Sequence, residues 1–285
     1  MSKIAILTDT GCGLERERFG KSTYVVPLYI NFKERSYKDM EEISAEEVYK
    51  KMQTEIPKTS TASIDDIKKI INKIKRDGYT DILCISISSK LSGIFNAMNL
   101  AARDVDGINF KALDTKNISF GTGFFVLYAQ TLLDKVSSLQ ELYDKLESNI
   151  KNSKVFFSID TLKYLIEGGR IGRVLGGIGS MLRITPIMSC DEDGVYYTVA
   201  KKRSLEKAIL EIADQTKAFV DEHKTAQNRY FAIIYKNDEN ILNQIREALK
   251  DEFATASYFL IYNVVSPALG VHTGPGLVGV GAFCF

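Results

Sequence analysis

Residues 81–96 read Asp81-Ile-Leu-Cys-Ile-Ser-Ile-Ser-Ser-Lys-Leu-Ser-Gly-Ile-Phe-Asn96. An apolar run typical of a buried strand, 81–87, is followed by a polar turn and by a segment, 94–103, with apolar residues at helical spacing. This order predicts an α/β fold with Ser92 and Gly93 at a strand-to-helix turn. Because ligands bind in open α/β sheets just beyond the carboxyl ends of strands, this turn is a candidate site.

The rest of the N-terminal half repeats the alternation of strand and helix. Isoleucines at helical spacing from Ile64 to Ile74 predict a helix that Ser63 is placed to cap. Ser138 and Glu141 have the spacing of a capping box at the start of another helix. The other predicted strands of this half are Lys3–Thr8, Thr23–Asn31 and Asn109–Leu113. Such an order favours a largely parallel sheet.

The C-terminal half has a different predicted order of elements, with strands joined by a hairpin turn and accompanied by helices. Asp-Glu-Asp-Gly at 191–194 is a good hairpin turn between predicted strands at 185–190 and 195–201. Further strands are predicted at Lys154–Asp160, Tyr230–Lys236, Ser257–Val264 and Leu277–Phe285, with helices from Ser204 and at Glu239–Phe253. We therefore expect an α/β domain over 1–152 and an α+β domain over 153–285. Because no low-complexity linker separates them, we expect the two to pack closely.

The composition narrows the class of protein. Lysine and arginine number 37 against 36 acidic residues, so the net charge gives no reason to expect nucleic acid, and membrane contact would be transient at most. The four cysteines are scattered, which argues against a zinc site or a disulfide framework. The first apolar run is too short for a signal peptide, and no stretch has the length of a membrane span. We expect a cytoplasmic protein without metal or cofactor.

Ser92 has three possible roles on this evidence. A nucleophile is poorly supported, because the chain has neither G-x-S-x-G nor S-x-x-K here and no acid lies near a histidine in sequence to orient it. A helix cap is an ordinary role for a serine at this place. An anion ligand would use the same geometry, because free N–H groups and hydroxyls converge at a helix start.

Two more segments have the residue types of a binding site. Thr59-Ser-Thr-Ala-Ser63 carries more hydroxyls before a helix than capping requires, which favours an anion or carbonyl site. Gly168-Gly-Arg-Ile-Gly-Arg173 opens a glycine-rich stretch that runs to Gly179 and holds two arginines near one another. Those arginines are as compatible with a solvated surface pair as with binding. The motifs for ATP and for NAD are absent.

Only two histidines occur in the chain. His223 lies at a predicted helix end among charged residues, where a solvated ring is expected. His272 lies in the glycine-rich segment Gly270–Gly281, which predicts a tight loop with backbone groups close to the ring. A structural histidine is the ordinary interpretation, although glycines at this density often mark a site.

Four motifs together resemble the DegV family, the fatty-acid-binding proteins that present acyl chains to a fatty acid kinase in bacteria. The resemblance runs the whole length of the chain, and the order of the motifs is specific. They are Pro57-Lys-Thr-Ser-Thr-Ala-Ser63, Ser88-Ser-Lys-Leu-Ser-Gly-Ile-Phe-Asn96, Glu167-Gly-Gly-Arg-Ile-Gly172 and His272-Thr-Gly-Pro-Gly-Leu277.

The resemblance implies a two-domain α/β protein with a long apolar tunnel for one fatty acid between the domains. On the matching positions, Thr61 and Ser92 would hydrogen-bond the carboxylate, His272 would lie close to the head group, and Arg170 would neutralise charge nearby. Arg173 and Arg203 would belong to the basic face on which a dihydroxyacetone-kinase-like fatty acid kinase docks. No catalytic residue is implied, so the chain would be a substrate-presenting subunit.

Two departures from the family pattern accompany the resemblance. Asp9-Thr-Gly-Cys-Gly-Leu14 lacks the second acidic residue of the N-terminal motif, and Ile94 stands where threonine is usual. Two other functions remain open from the sequence. One is a serine-dependent acyl hydrolase that uses Ser92 and His272, and the other is a regulator or small-anion-binding module for which lipid is incidental.

Overall fold

The computed structural model describes residues 3–174, 176 and 184–285 of the 285-residue chain. Its N-terminal part contains a four-stranded parallel sheet in the order β2-β1-β6-β7. The strands are β1 (Ile4–Asp9), β2 (Thr23–Val26), β6 (Asp81–Ser86) and β7 (Asn109–Asp114). Strands β1 and β6 are buried along their whole length, as the apolar run at 81–87 predicts. The parallel N-terminal sheet is therefore confirmed.

Four helices accompany this sheet: α2 (Ile64–Arg76), α3 (Ile94–Arg103), α4 (Phe120–Leu132) and α5 (Leu139–Glu147). Helix α2 begins as expected, because the Ser63 side chain accepts a hydrogen bond from the Asp66 amide. At α5 the Ser138 hydroxyl accepts from the Glu141 amide, but the Glu141 carboxylate binds the Ser137 amide instead of that of Ser138. The predicted capping box is thus only half formed.

The strand expected at Thr23–Asn31 is interrupted. Its second half is β3 (Tyr29–Asn31), which joins β4 (Ser36–Lys38) and β5 (Lys58–Ser60) in a separate three-stranded antiparallel sheet. The break falls at Pro27, which has no N–H to donate to a ladder. Helix α1 (Ala45–Lys51), with a complete Ser44–Glu47 capping box, follows β4.

The C-terminal part is built on a six-stranded mixed sheet in the order β10-β9-β8-β13-β11-β12. Only the β11–β12 pair is parallel. The strands are β8 (Ser153–Ser158), β9 (Thr185–Cys190), β10 (Tyr196–Lys202), β11 (Arg229–Tyr235), β12 (Tyr258–Tyr262) and β13 (Val278–Cys284). The helices are α6 (Lys163–Glu167), α7 (Leu205–Glu222), α8 (Glu239–Ala248), α9 (Lys250–Ala254) and α10 (Pro267–Thr273). The expected α+β arrangement is confirmed.

Helix α4 explains how the two sheets come together. It contacts β1 and β6 of the parallel sheet and also β8 and β13 of the mixed sheet. Its side chains are apolar nearly all round, as in a helix covered on every side. The main hydrophobic cluster accordingly includes residues from both sheets, whereas a second cluster lies under α7 and α8 on the far face of the mixed sheet.

Two predicted features of the C-terminal half are wrong in detail. The helix expected at Glu239–Phe253 is divided between α8 and α9, because Leu249 has non-helical dihedrals. His272 does not lie on a tight loop but in the last turn of α10, which starts with a proline at the first helical position. Among the described residues, no helix is both long enough and apolar enough to cross a membrane.

Candidate functional site

A cavity lies between the two halves of the chain. Most of its wall is apolar and comes from the mixed sheet, from α10 and from segments of the N-terminal part that follow its strands. The apolar side chains of the wall include Leu28, Ile87, Leu91, Ile118, Phe120, Val155, Phe157, Ile234, Val265, Ala268, Leu269, Leu277 and Val280. Polar side chains add to the wall, among them Thr59, Ser60, Thr61, Ser92, Arg170 and His272. The four residues that the resemblance assigns to a carboxylate thus line one cavity.

Ser92 lies beyond the end of β6, in the turn that leads into α3. Its hydroxyl oxygen accepts a hydrogen bond from the Ile94 amide at 3.2 Å, so it supports the start of the helix although Gly93 holds the capping position. The hydroxyl hydrogen is not used in that bond. Ser92 can therefore support the start of the helix and donate to a ligand at the same time.

Thr61 follows directly on β5, and it lines the same cavity as Ser92. Its side chain is half-buried, and its hydroxyl makes no hydrogen bond to a described residue. The methyl carbon of Thr61 lies 3.8 Å from the position that a Cβ on Gly93 would occupy, so the two strand ends approach each other here. Two hydroxyl donors from different strands are thereby brought to one place.

His272 is held by a hydrogen bond between its Nε2 atom and Thr59 Oγ1, at 2.7 Å. Its Nδ1 atom is buried and has no hydrogen-bond partner among the described residues. Burial, together with the positive charge of Arg170, lowers the pKa of His272 to about 4. The ring is therefore neutral at pH 7.

Arg170 is partly buried at the same end of the cavity. Its Nη1 donates to the Gly168 carbonyl at 2.6 Å and its Nε to the Leu91 carbonyl at 3.2 Å. Both contacts are with neutral groups, so its charge is not cancelled by them. Tyr196 of β10 also lines the cavity, and burial raises its pKa well above the ordinary value. Sequence reasoning missed Tyr196, because nothing local marks a tyrosine that reaches the site from another strand.

Arg173 does not line the cavity. Its guanidinium binds Asp191 and Asp193 in the turn between β9 and β10, and the hydrogen bonds and negative charges of these two residues raise its pKa. Arg203 is exposed just after the far end of β10. The Arg173 amide donates a hydrogen bond to the carbonyl of Tyr196, the first residue of β10, whereas Arg203 follows the last residue of that strand. Because β10 has seven residues, the backbones of the two arginines lie about 20 Å apart along the strand. Positions 175 and 177–179 of the glycine-rich stretch lie outside the described residues.

Ile94 and the segment 9–14, where the sequence departs from the family pattern, are not among the residues that line the cavity. Ile94 is fully buried in the main hydrophobic cluster, and its amide donates the hydrogen bond to Ser92. Asp9 is also fully buried, and it accepts hydrogen bonds from the Gly11 and Ile87 amides and the Ser86 hydroxyl. Burial raises its pKa to about 6 in spite of these bonds. Asp9 therefore organises the end of β1.

The hydrogen bond between a serine and a histidine that a serine hydrolase uses is not formed by Ser92 and His272 among the described residues. Within the described part of the chain, His272 forms its ring hydrogen bond with Thr59 and none with Ser92. A depressed pKa also makes His272 a weak base at neutral pH. No group of three or more metal-ligating side chains is found among the described residues.

Comparisons with known proteins agree with one another. The family model described as "Uncharacterised protein, DegV family" matches residues 3–284. A DegV domain-containing protein of Clostridium acetobutylicum is 33% identical over an alignment of 286 positions that covers 99% of each chain.

Two solved structures share the whole fold. A DegV family protein from Thermus thermophilus, described for its fatty acid binding, has a TM-score of 0.90 at 29% identity and covers 99% of this chain and 100% of its own. DegV of Bacillus subtilis, described as a fatty acid binding protein, has a TM-score of 0.87 at 25% identity over 100% of both chains.

Proposed function

Because the chain belongs to the DegV family, we propose that it binds one long-chain fatty acid in the cavity between its two halves and presents it to a fatty acid kinase. The proposal treats 1–152 and 153–285 as the two domains that enclose the ligand. The observation that carries it is that the cavity wall has two chemical parts: a few polar side chains, namely hydroxyls, Arg170 and His272, and an otherwise apolar lining. That division matches a ligand with one anionic end and a long apolar tail.

The tail would supply most of the affinity. Burying some fifteen methylenes at ~0.8 kcal/mol each corresponds to roughly 12 kcal/mol before the costs of ordering and association. Transfer of a carboxylate from water costs several kcal/mol unless it is paired and hydrogen-bonded. The polar residues therefore need only offset that penalty, and in doing so they fix which end of the ligand enters first.

The head group would be held by Thr61 and Ser92, with His272 beside it. Both hydroxyls have a hydrogen to donate, and a carboxylate accepts several such bonds. Arg170 is the one charged side chain that lines the cavity in the described part of the chain, given that His272 is neutral. A single carboxylate next to it forms a neutral pair, whereas an uncharged ligand leaves the guanidinium unpaired.

In the kinase reaction, the carboxylate oxygen would accept the γ-phosphoryl group of ATP to give an acyl phosphate and ADP. The kinase would supply the nucleotide site and the catalytic groups, so this chain needs no catalytic residue. We assign Arg173 and Arg203 to the surface that meets the kinase. We expect this carrier to act in the cytoplasm, where ATP is available.

The test of presentation is a coupled assay. Protein loaded with oleate is incubated with purified fatty acid kinase and ATP, and acyl phosphate is trapped as the hydroxamate with hydroxylamine. We expect hydroxamate only when both proteins are present. Equal hydroxamate formation from free oleate, without this chain, would contradict the proposal that it presents the substrate.

A further inference from the structure

The hydrogen bond between Thr59 and His272 has a direction that the surrounding atoms determine. Both residues line the cavity, and 2.7 Å separates Thr59 Oγ1 from His272 Nε2. In a neutral imidazole one nitrogen carries a hydrogen and the other accepts. The position of that hydrogen decides whether Thr59 donates to His272 or accepts from it.

Nδ1 of His272 has no room for a hydrogen-bond partner on the side of Gly168. A Cβ built on Gly168 would lie only 2.2 Å from Nδ1, so the glycine backbone is packed against this nitrogen. Nδ1 is also buried and unpartnered among the described residues. A hydrogen on Nδ1 would therefore be a buried donor without an acceptor, which is costly. A bare lone pair facing a Cα–H group costs less, since such contacts are weakly favourable.

The hydrogen consequently belongs on Nε2, where it is donated to Thr59 Oγ1. The depressed pKa of His272 agrees, because a doubly protonated ring would also place a hydrogen on Nδ1. Thr59 Oγ1 is then an acceptor in this bond, and its own hydrogen is free. No other hydrogen bond of Thr59 Oγ1 is formed within the described part of the chain.

We infer that Thr59 is a further donor to the ligand carboxylate, and that His272 acts through Thr59 as a positioning residue instead of touching the ligand. The inference rests on the proposed function, because it concerns the head group of the same anion. It also accounts for the surplus hydroxyls of the 59–63 segment. Thr59 and Thr61 are half-buried and each contribute a donor, whereas Ser60 between them is exposed and accepts a hydrogen bond from Asn31 at 3.0 Å.

The binding test compares two substitutions at Thr59 with two ligands. Thr59→Val keeps the β-branched shape but removes the hydroxyl, whereas Thr59→Ser keeps the hydroxyl. We expect Thr59→Val to raise the Kd for palmitate about tenfold or more relative to its effect on hexadecanol. We expect Thr59→Ser to stay within about threefold of the wild type for both. The ratio of the two ligands removes any general loosening of the fold.

Failure of the inference is distinguishable from failure of the proposed function. If the wild type binds palmitate and Thr59→Val binds it equally well, or weakens both ligands equally, the inference is wrong and the fatty acid site stands. If the wild type binds no palmitate, the proposed function is wrong and the inference falls with it.

The tautomer is measured independently by ¹⁵N NMR of the imidazole rings. With only two histidines in the chain, His272→Gln assigns the signals without ambiguity. We expect the ring of His272 to carry its hydrogen on Nε2 at pH 7. A hydrogen on Nδ1 would overturn the inference, because Thr59 would then donate to the ring and have nothing to offer a ligand.

Discussion

Replacing Ser92 with alanine separates the head-group contribution from the tail contribution. The substitution removes one hydroxyl that lines the cavity and leaves the apolar wall unchanged. It also removes the acceptor that the Ile94 amide uses at 3.2 Å. Two effects are therefore expected, one on ligand binding and one on the stability of the free protein.

The magnitudes of the two effects differ. A hydrogen bond to a charged group contributes about 1.5–3 kcal/mol, so losing one raises the Kd for palmitate by about tenfold to a hundredfold. The tail term of roughly 12 kcal/mol persists, so the variant still binds. Loss of the acceptor at the start of α3 lowers the free energy of unfolding by about 1 kcal/mol.

Isothermal titration calorimetry of delipidated protein with palmitate and hexadecanol measures the first effect, and urea unfolding measures the second. Ser63→Ala is the matched control. Ser63 accepts a hydrogen bond from the Asp66 amide at 3.1 Å and is not part of the described cavity wall. We expect this control to lose similar stability with no change in the ratio of the two affinities.

The reasoning would be refuted by either of two results. Ser92→Ala could bind palmitate as tightly as the wild type, which would remove the hydroxyl from the site. It could also lose all binding of both ligands, which would mean that the tail does not supply most of the affinity.

Three further predictions concern other residues. Gly168→Ala would place a Cβ 2.2 Å from Nδ1 of His272, so we expect it to weaken palmitate binding. Gly169→Ala is the control, because no atom lies within 4 Å of the added carbon, and it should lower only the stability of the fold. Equal losses of palmitate binding in the two variants would contradict this prediction. Arg203→Ala should leave fatty acid bound but lower hydroxamate formation with the kinase, and an empty pocket would show that the docking assignment is wrong. Because the pKa of His272 is lowered from 6.5 to about 4, the unfolded chain takes up the proton first as the pH falls. The free energy of unfolding should therefore fall by about 3 kcal/mol between pH 6.5 and pH 4. In urea unfolding, the difference between the wild type and His272→Gln should shrink by that amount, and a constant difference would contradict the burial argument.

Local signals in the sequence predict part of this molecule well. The apolar run at 81–87 predicts β6, and Ser63 marks the start of α2, because strand burial and helix capping depend on nearby residues. The position of Ser92 beyond a strand end follows from the same reasoning, whereas for Thr61 the sequence predicts only a place just before α2 and gives no sign of β5. That Thr61 and Ser92 line one cavity depends on how the strands before them, β5 and β6, are arranged in the fold. The sequence predicts this arrangement only through the family resemblance.

Features that depend on distant contacts are harder to predict from the sequence. Helix α4 is apolar nearly all round because it is covered by both sheets, so it lacks the periodicity of a surface helix. Helix α10 is short, and the glycines around it suggest a loop. Its first turn is nevertheless held by a residue distant in sequence, because the Ala268 amide donates a hydrogen bond to Asp39 Oδ1 at 2.9 Å. Tyr196 likewise reaches the cavity from β10, and no local pattern marks that placement.

The measurement that tests the central claim most directly is native mass spectrometry of the purified protein, followed by identification of the lipid in an organic extract. We expect one bound species per chain whose mass is that of a long-chain fatty acid, and restoration of that species when delipidated protein is loaded with oleate or palmitate. Protein that carries no stoichiometric fatty acid, even after loading, would contradict the claim that the cavity is a fatty acid site.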